Sequence, residues 1–160
     1  MLNITVLHVG EFKEKYLKDA YSEYLKRISA YANVEDINIK EAFLSSAPSE
    51  SEIQKALSLE AKEISKYLDT KAKKIALCVE GKGVSSEEFA DIFSLAALEG
   101  KSKVILVIGS SYGLSEDIKK ACDIRLSFSK MTFPHQLMRV MLSEQIYRAM
   151  TINAGKNYHK

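Results

Sequence analysis

The pattern of apolar and polar positions changes period repeatedly along the chain, which predicts strands and helices in alternation. Short β-branched runs such as Ile4 to Val9 predict strands, whereas apolar residues at four-residue spacing, as from Phe12 to Ile28, predict helices. The predicted strands span residues 4–9, 34–39, 74–79, 103–108 and 122–127. The predicted helices span residues 12–28, 49–70, 87–98, a short stretch from 115, and 134–153, and the second is expected to close at Asp69-Thr70.

The residues at the predicted helix ends support these boundaries. Ser49 with Glu52, and Ser85 with Glu88, have the spacing of capping boxes. Pro134 suits the first turn of the last helix, because its missing N–H would have no partner there in any case.

The alternation of strands and helices predicts an α/β fold, with a mostly parallel sheet flanked by helices and right-handed crossovers. Strands 74–79 and 103–108 are apolar on both faces, as expected for internal strands of a parallel sheet. No linker or internal repeat divides the 160 residues, so we expect residues 1–160 to form a single domain.

Three turns at the carboxyl ends of predicted strands are candidate ligand sites, since open α/β sheets bind ligands at that edge. They follow Val79 and Ile108 and include the loop 128–133. Gly109 to Gly113 resembles half of a nucleotide-binding turn, but such a turn is structural at least as often. The loop 128–133 combines aromatic rings, hydroxyls and Lys130, a composition that suits an adenosine-like ligand.

The last helix carries more apolar residues than one buried stripe needs, which predicts that another chain covers a second face and that the protein is a homodimer. The apolar positions are Leu137, Met138, Val140, Met141, Leu142, Ile146, Tyr147, Ala149, Met150 and Ile152. A separate stripe could remain solvent-exposed and face a partner; it consists of Gln136, Arg139, Ser143 and Tyr147.

The positive charge is concentrated in the last 36 residues. The formal net charge is +2, with residues 1–124 carrying 17 basic and 20 acidic side chains and residues 125–160 carrying six basic side chains against Glu144 alone. Such a patch attracts polyanions, although a solvated helix face would look the same. Arg148 lies four residues after Glu144, so it is either a helix-surface ion pair or a substrate contact.

Cys78 and Cys122 have no metal-binding or redox spacing, which predicts reduced core thiols, no metal site and a cytoplasmic protein. The longest aliphatic run, Val104 to Ile108, is far shorter than a membrane span, and no basic leader precedes the first strand. We therefore expect a soluble, unprocessed chain. His8, alone within the first strand, is expected to be structural.

Three C-terminal segments, 126–140, 144–149 and 158–160, resemble the RlmH family, the bacterial SPOUT-class 23S rRNA pseudouridine N3-methyltransferases. The similarity extends over the full length, including residues 4–15 and the Glu80-Gly81 turn with Ser85 to Glu87. It implies a SPOUT fold with a trefoil knot near the C-terminus, an exception to the rule against knots. One departure is Ser110, where the family usually has a second glycine in this turn.

The resemblance also implies a cofactor and a set of functional residues. S-adenosyl-L-methionine would bind against Leu77, Gly109, Phe128, Ser129, Lys130, Met131, Thr132 and Phe133. Catalysis would depend on Arg148, Tyr158 and His159, and RNA contacts on Lys130, Arg139, Lys156 and Lys160. On composition alone, the tail 157–160 would instead be a frayed chain end.

The family active site is composite, so the tail of one subunit would complete the pocket of its partner, and the assembled ribosome would be the substrate. The sequence leaves two alternative functions open. One is a non-catalytic rRNA- or ribosome-binding factor that uses only the basic C-terminal third. The other is a flavodoxin-like nucleotide-binding domain, which gives no reason for the 128–133 loop or the histidine-containing tail.

Overall fold

The computed structural model describes residues 1–68 and 71–160, and strands alternate with helices along these residues. In chain order the elements are β1 (Leu2–Val9), α1 (Lys15–Ile28), β2 (Ala32–Ile39), α2 (Glu50–Ser65), β3 (Lys73–Gly83), α3 (Ser86–Leu98), β4 (Lys103–Ile108), α4 (Glu116–Ala121), β5 (Ile124–Ser127) and α5 (His135–Asn153). Every predicted strand and helix is present. The predicted closure at Asp69-Thr70 lies outside the described residues, and α2 ends at Ser65.

The five strands form one sheet in the order β2-β1-β4-β3-β5, and every pair is parallel. This confirms the predicted α/β class. Strands β3 and β4 each have a neighbour on both sides, which is why their sequences are apolar on both faces. All five carboxyl ends lie at one edge of the sheet.

Helices cover both faces of the sheet and enclose two apolar clusters. One cluster packs residues of α1, α3 and α5 against Ile4, Val6 and neighbouring strand positions. The other packs Ile64 of α2 and Ile118 of α4 against the opposite face. Because successive strand residues point to opposite faces, the apolar runs of β1 and β4 supply both clusters.

Both predicted capping boxes are present. The Oγ of Ser49 accepts a hydrogen bond from the backbone N–H of Glu52 at 3.2 Å, and Ser85 accepts one from Glu88 at 3.0 Å. Pro134 was predicted to begin the last helix, and this is wrong. It is the residue that precedes α5, with an extended ψ of 131°.

The apolar character of α5 is explained mainly within the chain, because α5 lies between α1 and α3 on one face of the sheet. Leu142, Ile146 and Ala149 are fully buried there. A helix flanked on two sides and backed by a sheet needs apolar residues around most of its circumference. Surplus apolar residues on α5 are therefore weak support for a dimer, which stays a prediction.

The predicted solvent exposure of the polar stripe on α5 is wrong for three of its four residues, because Gln136, Arg139 and Ser143 are buried. Gln136 accepts a hydrogen bond from the backbone N–H of Lys13 at 2.8 Å. The guanidinium of Arg139 donates to the carbonyl oxygen of Gly10 at 2.9 Å and lies 4.3 Å from the Phe12 ring centre. Gln136 and Arg139 thus face the segment that joins β1 to α1.

His8 is structural, as predicted. It is 4% exposed, and its Nε2 lies 2.9 Å from the carboxylate of Asp36. Tyr21 donates its hydroxyl to the same carboxylate at 2.6 Å. These two contacts tie β1, α1 and β2 together.

Strand β3 meets β5 in two registers, with residues 75–77 beside 124–126 and residues 82–83 beside 126–127. The turn predicted at residues 80–83 is therefore wrong, because all four residues belong to β3, which continues to Gly83 past the change of register. A Cβ at Gly81 would come within 2.6 Å of the backbone carbon of Leu126, so the two backbones cross too closely for any side chain.

None of the helices in the described residues, α5 included, combines the length and the apolar character that crossing a bilayer demands.

Candidate functional site

The main cavity lies at the carboxyl edge of the sheet and has a volume of about 710 Å³. Its walls are residues 77–80, 108–114, 126–129 and 131–135, with Lys119 and Met138. All three turns proposed from the sequence therefore meet at one cavity. Its size and its mixture of apolar walls with a few polar groups are typical of a small-molecule site.

The turn 109–113 forms one wall and has no room for a side chain at its first residue. A Cβ on Gly109 would lie 2.2 Å from the carbonyl oxygen of Gly113. Gly113 adopts a φ of +82°, and its N–H donates to the carbonyl of Ser110 at 2.8 Å, which closes the turn. Ser110 is not strained, because no non-glycine residue in the described part of the chain has a positive φ.

The loop 128–133 forms the opposite wall and is shaped by its own hydroxyls. Ser127 donates its hydroxyl to the carbonyl of Ser129 at 2.9 Å, and the Ser129 hydroxyl accepts from the N–H of Met131 at 3.0 Å. The Phe128 ring lies edge-on to Phe89 of α3, with 6.5 Å between ring centres. The loop therefore has internal hydrogen bonds and a contact that joins it to the core.

Seven of the eight predicted cofactor residues line this cavity. They are Leu77, Gly109, Phe128, Ser129, Met131, Thr132 and Phe133. Lys130 does not line it, and its side chain is exposed. Lys130 is thus placed for a partner outside the cavity rather than for a ligand within it.

An ion pair forms part of the cavity wall. Lys119 of α4 donates to the carboxylate of Glu80, and this hydrogen bond is the largest cause of the lowered pKa of Glu80. Arg125 and Glu116 form a second pair nearby, at 2.7 Å. The cavity therefore has a carboxylate and an ammonium side by side at one edge.

The two cysteines differ in their surroundings. Both are free thiols. Cys122 packs against the core around α2 and α4, and burial raises its pKa to about 11. Cys78 lines the cavity, so its prediction as a core thiol is wrong, although partial burial also raises its pKa.

His135, the first residue of α5, also lines the cavity. Burial, with a smaller contribution from the Arg139 charge, lowers the pKa of His135. Within the described residues, neither nitrogen of its ring has a hydrogen-bond partner. The imidazole is therefore neutral at neutral pH and free to contact a ligand.

The tail is folded onto α5. Tyr158 donates its hydroxyl to Glu144 at 3.0 Å, and Arg148 donates to the same carboxylate at 2.5 Å. An Arg148 N–H donates to Nδ1 of His159 at 3.1 Å, while Nε2 lies 2.8 Å from Glu87 of α3. Since arginine cannot accept a hydrogen bond, Nδ1 of His159 is the acceptor in this contact, and Nε2 is the nitrogen that donates to Glu87.

Arg148 thus forms the ion pair with Glu144 that was one of the two roles predicted for it from the sequence. The guanidinium also lies 4.8 Å from the Tyr158 ring centre. Burial and the hydrogen bond to Glu144 raise the pKa of Tyr158 to about 12, so the phenol keeps its proton at neutral pH. The predicted catalytic residues Arg148, Tyr158 and His159 are therefore brought together as one cluster.

None of the three residues of that cluster lines the cavity of its own subunit. Met138 lines the cavity, and Arg148 lies ten residues further along α5. At 1.5 Å per helical residue, the separation along the axis is about 15 Å. One chain thus does not bring the predicted catalytic and cofactor residues together.

The predicted RNA-contacting residues divide into two groups. Lys130, Lys156 and Lys160 are exposed and can reach a polyanion. Arg139 is only 1% exposed, so its predicted RNA contact is wrong: the guanidinium is buried against Phe12 and the backbone of Gly10.

The polar cavity residues that were not assigned to the site from the sequence include Cys78, Glu80, Lys119 and His135. Glu80 and His135 lie within segments that had been singled out, the Glu80-Gly81 turn and residues 126–140, so membership of those segments is the signal that points to them. Lys119 gives no such signal, since α4 reaches the cavity only through the tertiary fold. Among the described residues no group of three histidine, cysteine or acidic side chains could hold a metal ion.

Comparison with known proteins adds an independent line of evidence. A family model described as "Predicted SPOUT methyltransferase" matches residues 2–159. The ribosomal RNA large subunit methyltransferase H of Bacillus thuringiensis is 48% identical over 159 residues, covering 99% of this chain and all of the relative. A putative ribosomal RNA large subunit methyltransferase H of Methanococcus maripaludis is 47% identical with the same coverage.

Solved structures are similar in fold at low sequence identity. A probable methylase family protein from Haemophilus influenzae has a TM-score of 0.53 at 13% identity, covering 99% of this chain and 70% of that one. A probable methyltransferase from Bordetella pertussis has a TM-score of 0.52 at 12% identity, covering 92% of this chain and 95% of that one.

Proposed function

The chain belongs to the RlmH family of SPOUT methyltransferases, and from this premise we propose that it methylates N3 of a pseudouridine in 23S rRNA. It is an rRNA methyltransferase that uses S-adenosyl-L-methionine. The observation that supports methyl transfer is the meeting of the turn 109–113 and the loop 128–133 at one cavity of suitable size for the cofactor, while the choice of pseudouridine N3 comes from the RlmH resemblance. The family also implies the trefoil knot, and the close crossing of Gly81 and Leu126 supports it.

The residues of the cavity fit S-adenosyl-L-methionine. Gly109 and the closed turn leave backbone groups exposed to a ligand, while Leu77, Phe128 and Phe133 offer apolar contacts for an adenine ring. Glu80 and Lys119 present opposite charges, which suit the ammonium and carboxylate of an amino-acid group. When bound, the cofactor supplies a methyl group already activated on a sulfonium.

The substrate contacts are assigned to the exposed basic residues. Lys130 lies beside the cavity loop, and Lys156 and Lys160 lie near the tail. Lysine contacts to phosphate position an RNA without reading its sequence. We propose that the assembled ribosome presents the target, as the RlmH resemblance implies. We further propose that the enzyme works in the cytoplasm, where its rRNA substrate would be found.

The catalytic cluster is proposed to act in the cavity of a partner subunit. Arg148 lies about 15 Å along α5 from the cavity residue Met138, and neither Tyr158 nor His159 lines the cavity, so we propose that a second copy supplies them. The homodimer through α5 would then be required for activity. Composite sites of this kind need a symmetric interface that brings each tail to the other cavity.

Within such a site, the three residues have complementary roles. The guanidinium of Arg148 would stabilise negative charge that develops on the uracil ring as N3 loses its proton. Tyr158 and His159 would orient the base. Holding the two reactants at attack distance would supply most of the rate acceleration.

The test is a methyl-transfer assay on large ribosomal subunits from a strain that lacks the gene. Mass spectrometry should find one added methyl group on one pseudouridine of 23S rRNA. His159→Ala should keep cofactor binding and lose most methylation, whereas wild-type turnover in this variant would remove the proposed role. A protein that binds ribosomes but shows no calorimetric signal with S-adenosyl-L-methionine would instead be the non-catalytic binding factor.

A further inference from the structure

Methylation of N3 leaves one proton to be removed. The N3–H bond breaks, and its electron pair forms the new bond to the methyl carbon. The electron pair of the broken carbon–sulfur bond stays on sulfur, so the proton needs an acceptor. At neutral pH a positioned base with a vacant lone pair serves this role best.

Few groups that line the cavity can take a proton. The Cys78 thiol has a raised pKa, so it stays protonated. The carboxylate of Glu80 is occupied by Lys119 and has a lowered pKa, which makes it a weak base. The serine and threonine hydroxyls in the walls are not basic. The Tyr112 phenol and the Lys119 ammonium also carry their protons at neutral pH. Among the described lining residues, the remaining base is the imidazole of His135.

His135 has the geometry that a proton acceptor requires. Pro134 restricts the backbone immediately before His135. Because His135 is the first residue of α5, its ring is held in the cavity wall, which Met138 also lines. Within residues 1–68 and 71–160 the ring makes no hydrogen bond, so a lone pair is available. The charged groups that face it are Arg139 on α5, Lys13 before α1 and Glu41 after β2.

We infer that His135 is a catalytic residue that accepts the N3 proton of the target base, an inference that rests on the proposed function. The tail then has the orienting role. Both nitrogens of His159 are already engaged, Nδ1 by Arg148 and Nε2 by Glu87. A ring held in this way can position a base but has no vacant lone pair.

The experiment compares wild type, His135→Gln and His159→Ala in the ribosome assay, with kcat and KM measured between acidic and alkaline pH. Calorimetry with S-adenosyl-L-methionine and thermal unfolding serve as readouts that do not depend on activity. We expect His135→Gln to lower kcat by about 10²-fold or more at neutral pH. Its cofactor Kd and its Tm should match those of wild type within about twofold and a few degrees.

The pH profile separates proton transfer from a structural role. The wild-type rate should fall as the pH drops through the His135 pKa, which lies below the usual histidine range. His135→Gln should lose this acid limb, and its deficit should shrink at alkaline pH, where N3 ionises without help. His159→Ala should keep the acid limb at a lower rate.

A second variant keeps the inference testable if glutamine disturbs the cavity. His135→Ala with added imidazole should regain part of its activity, because free imidazole can enter the vacated space. The inference is overturned if His135→Gln keeps kcat within threefold, if its cofactor Kd weakens in parallel with kcat, or if its acid limb is unchanged. Absence of methyl transfer by the wild type would instead overturn the proposed function itself.

Discussion

Gly109 is the position at which the cavity wall has no space for a side chain. In Gly109→Ala the new Cβ would overlap the carbonyl oxygen of Gly113 at 2.2 Å, and the backbone must move. We expect calorimetry to show at least a tenfold weaker affinity for S-adenosyl-L-methionine, about 1.4 kcal/mol or more. Gly83→Ala is the matched control, since nothing lies within 4 Å of its Cβ position, and its affinity should match wild type. Equal affinities in the two variants would contradict the proposed cofactor site.

The two cysteines report on the cavity because only Cys78 lines it. Iodoacetamide attacks the thiolate, so the raised pKa of both thiols predicts slow alkylation at pH 8 and faster alkylation as the pH rises, toward about 11 for Cys122. Saturating S-adenosyl-L-methionine should slow the labelling of Cys78 at least fivefold and leave Cys122 unchanged, as measured by peptide mass spectrometry. Unprotected Cys78 would place the cofactor elsewhere.

Arg139 distinguishes a buried cation from an RNA contact. Its Nε and Nη1 have no hydrogen-bond partner among the described residues. Replacing the side chain with an apolar one of similar length should therefore cost less than removing it. By urea unfolding, we expect Arg139→Ala to lose about 2–4 kcal/mol and Arg139→Met clearly less.

The exposed Lys156 provides the control for this prediction. Lys156→Met should leave stability unchanged within about 0.5 kcal/mol but raise the KM for ribosomes. Folded Arg139→Met should have the KM of wild type. A raised KM in Arg139→Met without loss of stability would restore Arg139 as an RNA contact.

Helix α3 carries part of the core and also contacts the tail, so its N-terminal cap has consequences beyond its own first turn. Ser85 accepts a hydrogen bond from Glu88, and Glu87 in the same turn contacts His159. Ser85→Ala should lower the free energy of unfolding by about 1 kcal/mol in a urea titration. Ser22→Ala on α1, which loses only a bond to the carbonyl four residues earlier, should change it by less than about 0.5 kcal/mol. Equal losses in both variants would contradict the capping contribution.

Helix α5 links the two functional regions of the chain. Its first residues line the cavity, while its second half holds Arg148 beside the folded tail. Because the helix is rigid over this length, the distance between the two regions is fixed within one subunit. This rigidity is the reason for assigning the tail to a partner cavity.

The composite site makes a prediction about mixtures of two inactive variants. Gly109→Ala would disable the cavity and His159→Ala would disable the tail. If each site combines the cavity of one subunit with the tail of the other, a mixed dimer contains one intact site. When the two variants are mixed in equal amounts and their subunits exchange freely, half of the dimers are mixed, and each mixed dimer has one working site of two. The mixture should therefore recover about a quarter of wild-type methylation.

The control for this experiment is each variant exchanged with itself, which should stay inactive. Size-exclusion chromatography with light scattering would establish the dimer directly. A monomeric enzyme with full activity, or a mixture with no recovery, would contradict the proposed composite site.

The sequence alone was enough to predict the α/β class, the order of the elements and both capping boxes. These features depend on local periodicity and on residues three or four positions apart. The meeting of the three candidate segments at one cavity was also predictable, because the carboxyl ends of parallel strands lie at one edge of a sheet. The RlmH resemblance of the C-terminal third was carried by contiguous residues, and the comparisons confirm it.

Only the tertiary structure decided which charged residues are buried and which cavity each residue reaches. Arg139 and Lys130 are both basic residues of the C-terminal third, and the sequence does not distinguish their surroundings. Arg139 is buried against Phe12, whereas Lys130 is exposed. Lys119 joins the cavity through a pair with Glu80, 39 residues away. Periodicity assigns a residue to a face of its own element, whereas burial and pairing depend on which other elements pack against that face. For this chain, α5 lies between two helices instead of at the surface, and that placement separates the tail from its own cavity.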